Sequence, residues 1–258
     1  CERMIVCIIG ILDIRSKNGG HKMSLKYDLI KDKITIRMVP RDKGEALCCA
    51  FPDLHIYDAI HIPIGGMCAV FCLGTKNNSI ITDQTLDALN ITEYEFKSDV
   101  FENAAKNNPA VMKSLVEIQG SETEFDSWIN ITPINVFEIG DKKKDKSIYV
   151  VSNARKQFGA SVLVYPDFLK QAAKTIGGSF FVLPFSVHEI ILVDDKVAVS
   201  ADYLSDKLQD MLLGDEALNH DDYLTNVLYH YDAKANRLET SWEYVRRVAK
   251  EKSKTSQW

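Results

Sequence analysis

Residues 159–193 constrain the fold more than any other stretch, because the apolar periodicity changes three times within this part of the chain. A short apolar run at residues 162–165 is typical of a strand. Pro166 follows it and fits best in the first turn of a helix. Apolar residues then recur at helical spacing as far as Ile176, and Gly177 can adopt the left-handed conformation that ends helices. The stretch therefore predicts a strand followed by a helix of about three turns.

Two further strands are predicted after this helix. Residues 179–183 and 187–193 are rich in branched and aromatic side chains, and Pro184 interrupts backbone pairing between them. The helix carries an apolar stripe that must be buried, and the strands beside it offer the surface for it. Three strand residues are therefore expected in the core beneath the helix: Leu183, Ile190 and Leu192.

The remaining elements follow from strand and helix periodicities and from turn and capping residues. Strands are predicted at residues 34–39, 54–64, 67–73, 134–139, 148–152 and 226–231, with a hairpin turn at Gly65 and Gly66. Helices are predicted at residues 43–50, after the capping residues Thr82 and Thr92, and at residues 110–118, 201–213 and 240–250.

An acidic, polar segment around Gly120, residues 119–126, is the best candidate for a linker. It divides the chain into an N-terminal α+β region, residues 1–120, and a C-terminal α+β sheet domain, residues 127–258. The predicted fold class is α+β with two mixed sheet and helix subdomains. The C-terminal subdomain is expected to be a mainly antiparallel sheet covered by helices.

Composition indicates an ordinary folded protein without global attraction for polyanions. The net charge is -5 at pH 7, so neither nucleic acid nor a membrane is expected as a partner. A charge run at residues 141–146 is short and broken by acids, as in a solvated hairpin tip. The apolar run at residues 4–12 is too short to span a bilayer, so a cytoplasmic protein is predicted. No cofactor is expected, because none of the glycine pairs lies in a phosphate-binding motif.

Metal binding is the weaker interpretation of the histidines and cysteines in the first third of the chain. His55, Asp58 and His61 carry metal-binding groups, but neither a helix nor a strand places all three on one face. Cys68 and Cys72 lie in an apolar run that is more typical of a core segment. Neither zinc-site spacing nor the density of a disulfide scaffold is present. Reduced, buried thiols and no metal site are therefore predicted.

Residues 165–193 carry a resemblance to a known family. The order YPDFLKQAAKTIGGSFFVLPFSVHEIILV resembles a bacterial family of domains of unknown function, numbered 5688. The family centre reads Leu-Pro-Ser-Ser-Ile/Val-His-Glu, and Phe185 departs from its first serine. The centre is otherwise matched by Leu183, Pro184, Ser186, Val187, His188 and Glu189.

Similar family features lie at residues 91–93, 107–109 and 227–232, and the pattern begins near Met23. Family members generally carry more sequence upstream. The resemblance therefore implies an N-terminally truncated or divergent member. It implies a fold and a bacterial origin, but not a reaction.

Ser186, His188 and Glu189 form the most suggestive cluster for catalysis, since they bring a hydroxyl, an imidazole and a carboxylate close together in sequence. On an extended strand Ser186 and His188 would share one face about 7 Å apart, while Glu189 would point the other way. The three residues therefore cannot form a triad by themselves. Two polar loop segments, His220 to Asp222 and His230 to Asp232, are further places where a site could lie.

Two functions from different classes remain open. The preferred one is a non-enzymatic binding protein whose C-terminal sheet domain holds a macromolecular or small-molecule partner. The alternative is a hydrolase or transferase that uses His188 as an acid or base, with Glu189 or a residue from another segment as its partner. An accessible His188 beside a second polar side chain in a pocket would favour the enzyme.

Overall fold

The fold combines two antiparallel sheets with helices packed on them. The computed structural model describes residues 27–41, 46–47, 51–55, 59–74, 79–120, 147–184, 186–197, 200–213 and 222–255. The predicted α+β class, with a mainly antiparallel C-terminal sheet covered by helices, is confirmed. Of the helices in these ranges, none is long and apolar enough to cross a membrane.

The smaller sheet has four strands and is built around an apolar hairpin. Its strands are β1 (Ile34–Pro40), β4 (His61–Ile64), β5 (Met67–Leu73) and β6 (Ser79–Ile80), and β5 pairs with the other three. Gly65 has a φ of 57°, which lets the chain turn tightly between β4 and β5. The predicted strand at residues 34–39 and the predicted turn at Gly65 and Gly66 are confirmed. The first predicted strand of the hairpin, residues 54–64, is too long, because β4 begins only at His61 and residues 54–55 pair in a separate sheet.

A separate strand pair lies where a helix was expected. β2 (Ala46–Leu47) pairs with β3 (Phe51–His55), so the helix predicted for residues 43–50 is wrong at these two positions. The other residues of that prediction lie outside the described part of the chain. Short apolar runs fit a helix and a strand equally well, and here the pairing with a neighbouring segment decides.

The helices predicted after Thr82 and Thr92 are α1 (Asp83–Leu89) and α2 (Glu93–Asn107). Each threonine hydroxyl accepts a hydrogen bond from a backbone N–H of the first helical turn. The Glu95 carboxylate accepts the N–H of Thr92 in return, which completes a capping box.

The larger sheet has six strands in the order β12-β11-β9-β10-β8-β7, and all neighbours are antiparallel. Its strands are β7 (Ala110–Ser114), β8 (Ile148–Asn153), β9 (Phe180–Leu183), β10 (Ile190–Asp194), β11 (Tyr229–Asp232) and β12 (Arg237–Thr240). The helices of this half are α3 (Leu115–Gln119), α4 (Phe168–Ile176), α5 (Ala201–Leu213) and α6 (Ser241–Thr255). Gly177, with a φ of 93°, ends α4 as predicted.

Two local predictions in this half are wrong. The helix predicted for residues 110–118 is strand β7 over its first five residues, because these pair with β8 from much later in the chain. Of the strand predicted for residues 162–165, the first three residues belong to a 3₁₀ helix, Gly159–Val164, and Tyr165 is its C-cap. This helix follows a left-handed turn at Phe158. The predictions for residues 134–139 and 141–146 lie outside the described part of the chain.

The main apolar core lies between the two sheets. It contains Ile36 and Phe71 from the smaller sheet, Leu192 and Tyr229 from the larger sheet, and Ala172 from α4. Side chains from both halves of the chain therefore share one hydrophobic cluster, whose burial supplies most of the driving force for folding.

A second apolar cluster covers the opposite face of the larger sheet, beneath α5. Ile190 and Leu192 lie in the main core with α4, as predicted, but Leu183 lies in this second cluster with Leu204 and Leu208. Leu183 pairs with Ile191, and alternate residues of a strand face opposite sides of its sheet. Its expected position beneath α4 is therefore wrong.

The division into residues 1–120 and 127–258 stays a prediction. Residues 121–126 lie outside the described part of the chain. β7 and α3, which precede the predicted linker, belong to the six-stranded sheet and to the apolar cluster on its outer face.

Candidate functional site

A cleft of about 80 Å³ lies where β1 meets α2 and the segment after β8. We call it the β1 cleft. Its lining consists of Asp32, Ile34, Thr35, Ile36, Arg37, Asn103, Ala104, Asn107, Asn108, Asn153, Arg155, Gln157, Phe158, Ser161 and Tyr165. Both halves of the chain contribute, and most of the lining side chains are polar. The volume exceeds that of several water molecules, so a small polar molecule fits.

Arg37 is the most unusual residue of the β1 cleft, because its charged side chain is only 5% exposed. Its guanidinium carbon lies 4.0 Å from the ring centroid of Phe158, a cation–π contact that offsets part of the cost of burying the charge. The charge of Arg37 also affects the neighbouring thiol of Cys72. Burial raises the pKa of the Cys72 thiol to about 11, and Arg37 limits this rise by favouring the thiolate.

Arg155 supplies a second positive charge at the rim of the β1 cleft. Its side chain is exposed, whereas its backbone N–H donates to the side-chain oxygens of Asn108 and Asn153, each 3.1 Å away. Burial raises the pKa of Tyr165, while a hydrogen bond with Ser161 and the charge of Arg155 oppose the rise. The cleft therefore holds two arginines against one carboxylate, that of Asp32.

The segment between β8 and the 3₁₀ helix is fixed by the buried side chain of Asn153. Its amide nitrogen donates to the carbonyl oxygen of Gln157 at 2.7 Å, and its oxygen accepts the N–H of Gln157 at 3.3 Å. Phe158 follows with a φ of 52°, in the left-handed region. This geometry presents the Phe158 ring to Arg37.

His188 lies behind Phe158 and holds it in place. Its Nδ1 accepts the backbone N–H of Phe158 at 3.0 Å, so the ring proton of the neutral imidazole is on Nε2. Nε2 lies 3.1 Å from Oδ1 of Asp222 and donates to it. The side chain of His188 is 19% exposed, but it is not part of the lining of the β1 cleft. Both ring nitrogens are therefore engaged in positioning.

Ser186 and Glu189 do not form a hydrogen-bond chain with the imidazole of His188. Ser186 is fully buried, and its hydroxyl oxygen accepts the backbone N–H of His188 at 3.0 Å. Glu189 is also fully buried, whereas the ring of His188 bonds to Phe158 and Asp222. A catalytic role for Ser186, His188 or Glu189 stays a prediction.

Asp222 is the residue that sequence reasoning did not pair with His188. It lies 34 residues further along the chain, within the polar segment His220 to Asp222, which the sequence predicts as a possible site loop. Its backbone carbonyl accepts the N–H of Val187, and Tyr223 forms an isolated bridge with Ser186. The acidic character of the segment was visible in sequence, but the partner was not, because the two segments meet only in three dimensions.

His230 belongs to a separate, structural cluster. It is 2% exposed, with Nδ1 3.3 Å from Glu239 and Nε2 3.3 Å from Asp195. Its ring lies 4.1 Å from that of Tyr244. Arg247 donates to the same Glu239 carboxylate. These contacts attach α6 to β11 and β12.

The described part of the chain brings together no group of three or more His, Cys, Asp or Glu side chains able to hold a metal ion. Nδ1 of His61 is 2.8 Å from the carbonyl oxygen of Ala59 and donates to it. Cys68 and Cys72 are fully buried residues near the two ends of β5. Asp58 and the side chain of His55 lie outside the described residues.

Comparison with known proteins identifies the family. A family model described as a family of unknown function, DUF5688, matches residues 2–233 of the 258 residues. The chain belongs to this family. Comparison with curated proteins and with solved structures gave no match.

The match includes every residue of the β1 cleft and the pair His188 and Asp222 of this DUF5688 protein. It starts at residue 2, earlier than the start near Met23 expected from the sequence pattern. It ends at residue 233, before β12 and α6. The β1 cleft and its support are thus part of the region that defines the family, whereas α6 is not.

Proposed function

We propose that this DUF5688 protein is a non-enzymatic binding protein that holds a small anionic molecule in the β1 cleft. The observation that carries the proposal is the buried guanidinium of Arg37 in a cleft that also contains Arg155. A guanidinium matches carboxylate and phosphate groups with two parallel hydrogen bonds. Its attraction for an anion is stronger away from water, because the local dielectric constant is lower.

The neutral side chains of the β1 cleft suggest what else the ligand carries. Asn103, Asn107 and Gln157 each offer a carboxamide that both donates and accepts. A ligand with hydroxyl or amide groups beside its anionic group would use them. The volume of about 80 Å³ favours a small molecule, or one end of it, over a macromolecular partner. In keeping with the sequence, we place this function in the bacterial cytoplasm.

The proposal is tested by thermal unfolding of the full chain with inorganic phosphate or succinate, at constant ionic strength set by sodium chloride. These probes separate phosphate from carboxylate recognition. At a concentration about 100-fold above Kd, a ligand stabilises the folded state by about 2.7 kcal/mol. For a chain of this size, that raises Tm by roughly 5 to 10 °C.

Arg155→Ala should abolish most of the rise in Tm that the anion causes. The variant should still fold, because the side chain of Arg155 is exposed. Arg37→Lys keeps the charge but removes the planar fork, and should weaken binding as well. Lys174→Ala, an exposed cation on α4, is the matched control and should respond like the wild type. Equal rises in the wild type and Arg155→Ala, or no rise with either anion, would contradict the proposal.

A hydrolase or transferase is the second candidate. The 3.1 Å contact between His188 and Asp222 favours it, because a carboxylate that orients an imidazole is a common acid–base arrangement. The hydrogen bond from the amide N–H of Phe158 to Nδ1 of His188 counts against an enzyme. With Nε2 bonded to Asp222, neither ring nitrogen is available to a substrate. Turnover of p-nitrophenyl esters or phosphates that is lost in His188→Gln but kept in Arg155→Ala would support the enzyme instead.

A further inference from the structure

We infer that the outer face of α6 is a docking surface for an anionic membrane. α6 begins with a complete cap: the Glu243 carboxylate accepts the N–H and hydroxyl of Thr240 at 2.8 and 2.9 Å. The inner face packs on the sheet through the ring of Tyr244 against His230. Arg247 anchors the same face by donating to the buried carboxylate of Glu239. The helix is therefore held firmly from one side.

The outer face of α6 carries an apolar stripe. Trp242 is 67% exposed and Val245 is 49% exposed, which makes them two of the most exposed large hydrophobic residues described. Ala249 continues the stripe and is also exposed. Positions i, i+3 and i+7 of a helix lie on one side, so the three residues form a single line. An exposed line of apolar side chains is typical of a surface that binds a protein or a membrane.

Basic residues run alongside this stripe. Arg246, Lys250 and Lys254 follow one another at intervals of four residues, which places them in a row on one flank. The Arg246 guanidinium carbon lies 5.2 Å from the Trp242 ring. The two acidic residues of α6 are engaged elsewhere: Glu243 caps the helix, and Glu251 lies 3.3 Å from Arg247.

The charge of α6 is opposite to that of the whole chain. The helix contains five basic and two acidic residues, whereas the net charge of the protein is -5. The total charge gave no reason to expect a membrane, but this local surface does. Tryptophan beside lysine and arginine is the composition of helices that lie in the lipid headgroup region. A nucleic acid would use the cations but would leave Val245 and Ala249 without an apolar contact.

Binding should be weak, reversible and sensitive to salt, because the apolar stripe is short and the attraction to anionic lipid is screened by ions. Each lysine or arginine at the surface of an anionic leaflet strengthens binding by about 1 kcal/mol, or roughly fivefold. The Trp242 ring adds an apolar contribution on the order of tenfold.

The test is co-sedimentation of the full chain with vesicles of phosphatidylcholine alone or of equal parts phosphatidylcholine and phosphatidylglycerol. The wild type should bind only the mixed vesicles and should dissociate in high salt. Trp242→Ala should weaken binding about tenfold, and Lys250→Ala about fivefold. Tyr94→Ala removes a ring that is 83% exposed on α2 and should bind like the wild type.

No association with the mixed vesicles would overturn the inference. Equal binding by Trp242→Ala and Tyr94→Ala would do the same. If α6 instead covers a protein surface, Trp242→Ala would convert a dimer to a monomer in size-exclusion chromatography while the vesicles bind neither form. Binding of an RNA duplex without binding of vesicles would likewise exclude the membrane.

Discussion

The hydroxyl of Tyr229 in β11 accepts the backbone N–H of Gly66 at 2.8 Å and donates to the carbonyl oxygen of Ile64 at 2.7 Å. One side chain of the larger sheet therefore satisfies both polar groups at the hairpin turn of the smaller sheet. The ring fills the space that a Cβ at Gly65 would need, since that atom would lie 2.7 Å from the hydroxyl. Burial raises the pKa of Tyr229 to about 12, so the hydroxyl keeps its proton at physiological pH.

Tyr229→Phe should lower the free energy of unfolding by about 1 to 3 kcal/mol, because it leaves two backbone groups of the hairpin without their partner. Chemical denaturation monitored by circular dichroism measures the change. Tyr94→Phe, on an exposed ring, should change the stability by no more than about 0.5 kcal/mol. Equal denaturation midpoints for the two variants would mean that the contact does not contribute to stability.

We expect the free energy of unfolding to fall by about 2 to 5 kcal/mol in Leu192→Ala and also in Leu183→Ala, because both side chains are fully buried. They differ in their neighbours, because Leu183 shares the outer cluster with Leu208 and Leu192 lies in the main core. In double-mutant cycles, the effects of Leu208→Ala and Leu183→Ala on the free energy of unfolding should therefore not be additive. The effects of Leu208→Ala and Leu192→Ala should add. The reverse result would show that the two faces of the sheet are assigned wrongly.

Acid should remove stability that depends on Glu239. Burial raises the pKa of this carboxyl, but the hydrogen bonds and charge of Arg247 bring it below its usual 4.5. The folded state therefore keeps the carboxylate ionised at a pH where the unfolded chain binds a proton. The resulting stability is present above about pH 4.5 and is lost as the pH falls through the lower, folded pKa.

Denaturation curves between pH 6 and 3 should show a steeper loss of stability in the wild type than in Glu239→Gln. Arg247→Met should flatten the pH profile of stability as well, because its guanidinium contributes most to the lowering of the Glu239 pKa, ahead of His230 and Arg237. Parallel profiles for the wild type and Glu239→Gln would contradict this assignment.

His188→Ala should destabilise the fold by about 1 to 3 kcal/mol, because the N–H of Phe158 loses its acceptor. His188→Asn should recover part of this loss, since a carboxamide oxygen can take the place of Nδ1. Urea denaturation of both variants provides the comparison. An asparagine variant no more stable than the alanine variant would show that the Phe158 contact is not what His188 contributes.

Elements that depend on local signals could be predicted from the sequence. The hairpin at Gly65 and Gly66, the end of α4 at Gly177 and the cap at Thr92 all follow from the conformations of single residues. Strand β7 could not be predicted, because its partner β8 lies beyond residue 146 and pairing overrides local preference. Ser114 and Glu117 have the spacing of a capping box at the start of α3, a signal that the predicted helix at residues 110–118 leaves out.

The β1 cleft could not be predicted for a related reason. Arg37 alternates with apolar residues in β1, which is also the pattern of a solvent-facing side chain. The ring that lies against its guanidinium is that of Phe158, which comes from the other half of the chain. The chemical type of His188 makes it a candidate in the sequence, but its contact with Asp222 joins residues 34 positions apart in the chain. The sequence thus indicates which side chains carry chemically versatile groups, and the fold determines which of them meet.

The pairing of β7 with β8 has a consequence for how the chain responds to cleavage. A single cut between residues 120 and 147 would leave β7 on one fragment and the rest of the six-stranded sheet on the other. Five paired residues, and the hydroxyl of Tyr229 at the hairpin of the first fragment, would still hold the pieces together. Neither fragment keeps its full set of partners when separated, so a nicked chain should behave as a noncovalent heterodimer that withstands dilution but separates in denaturant.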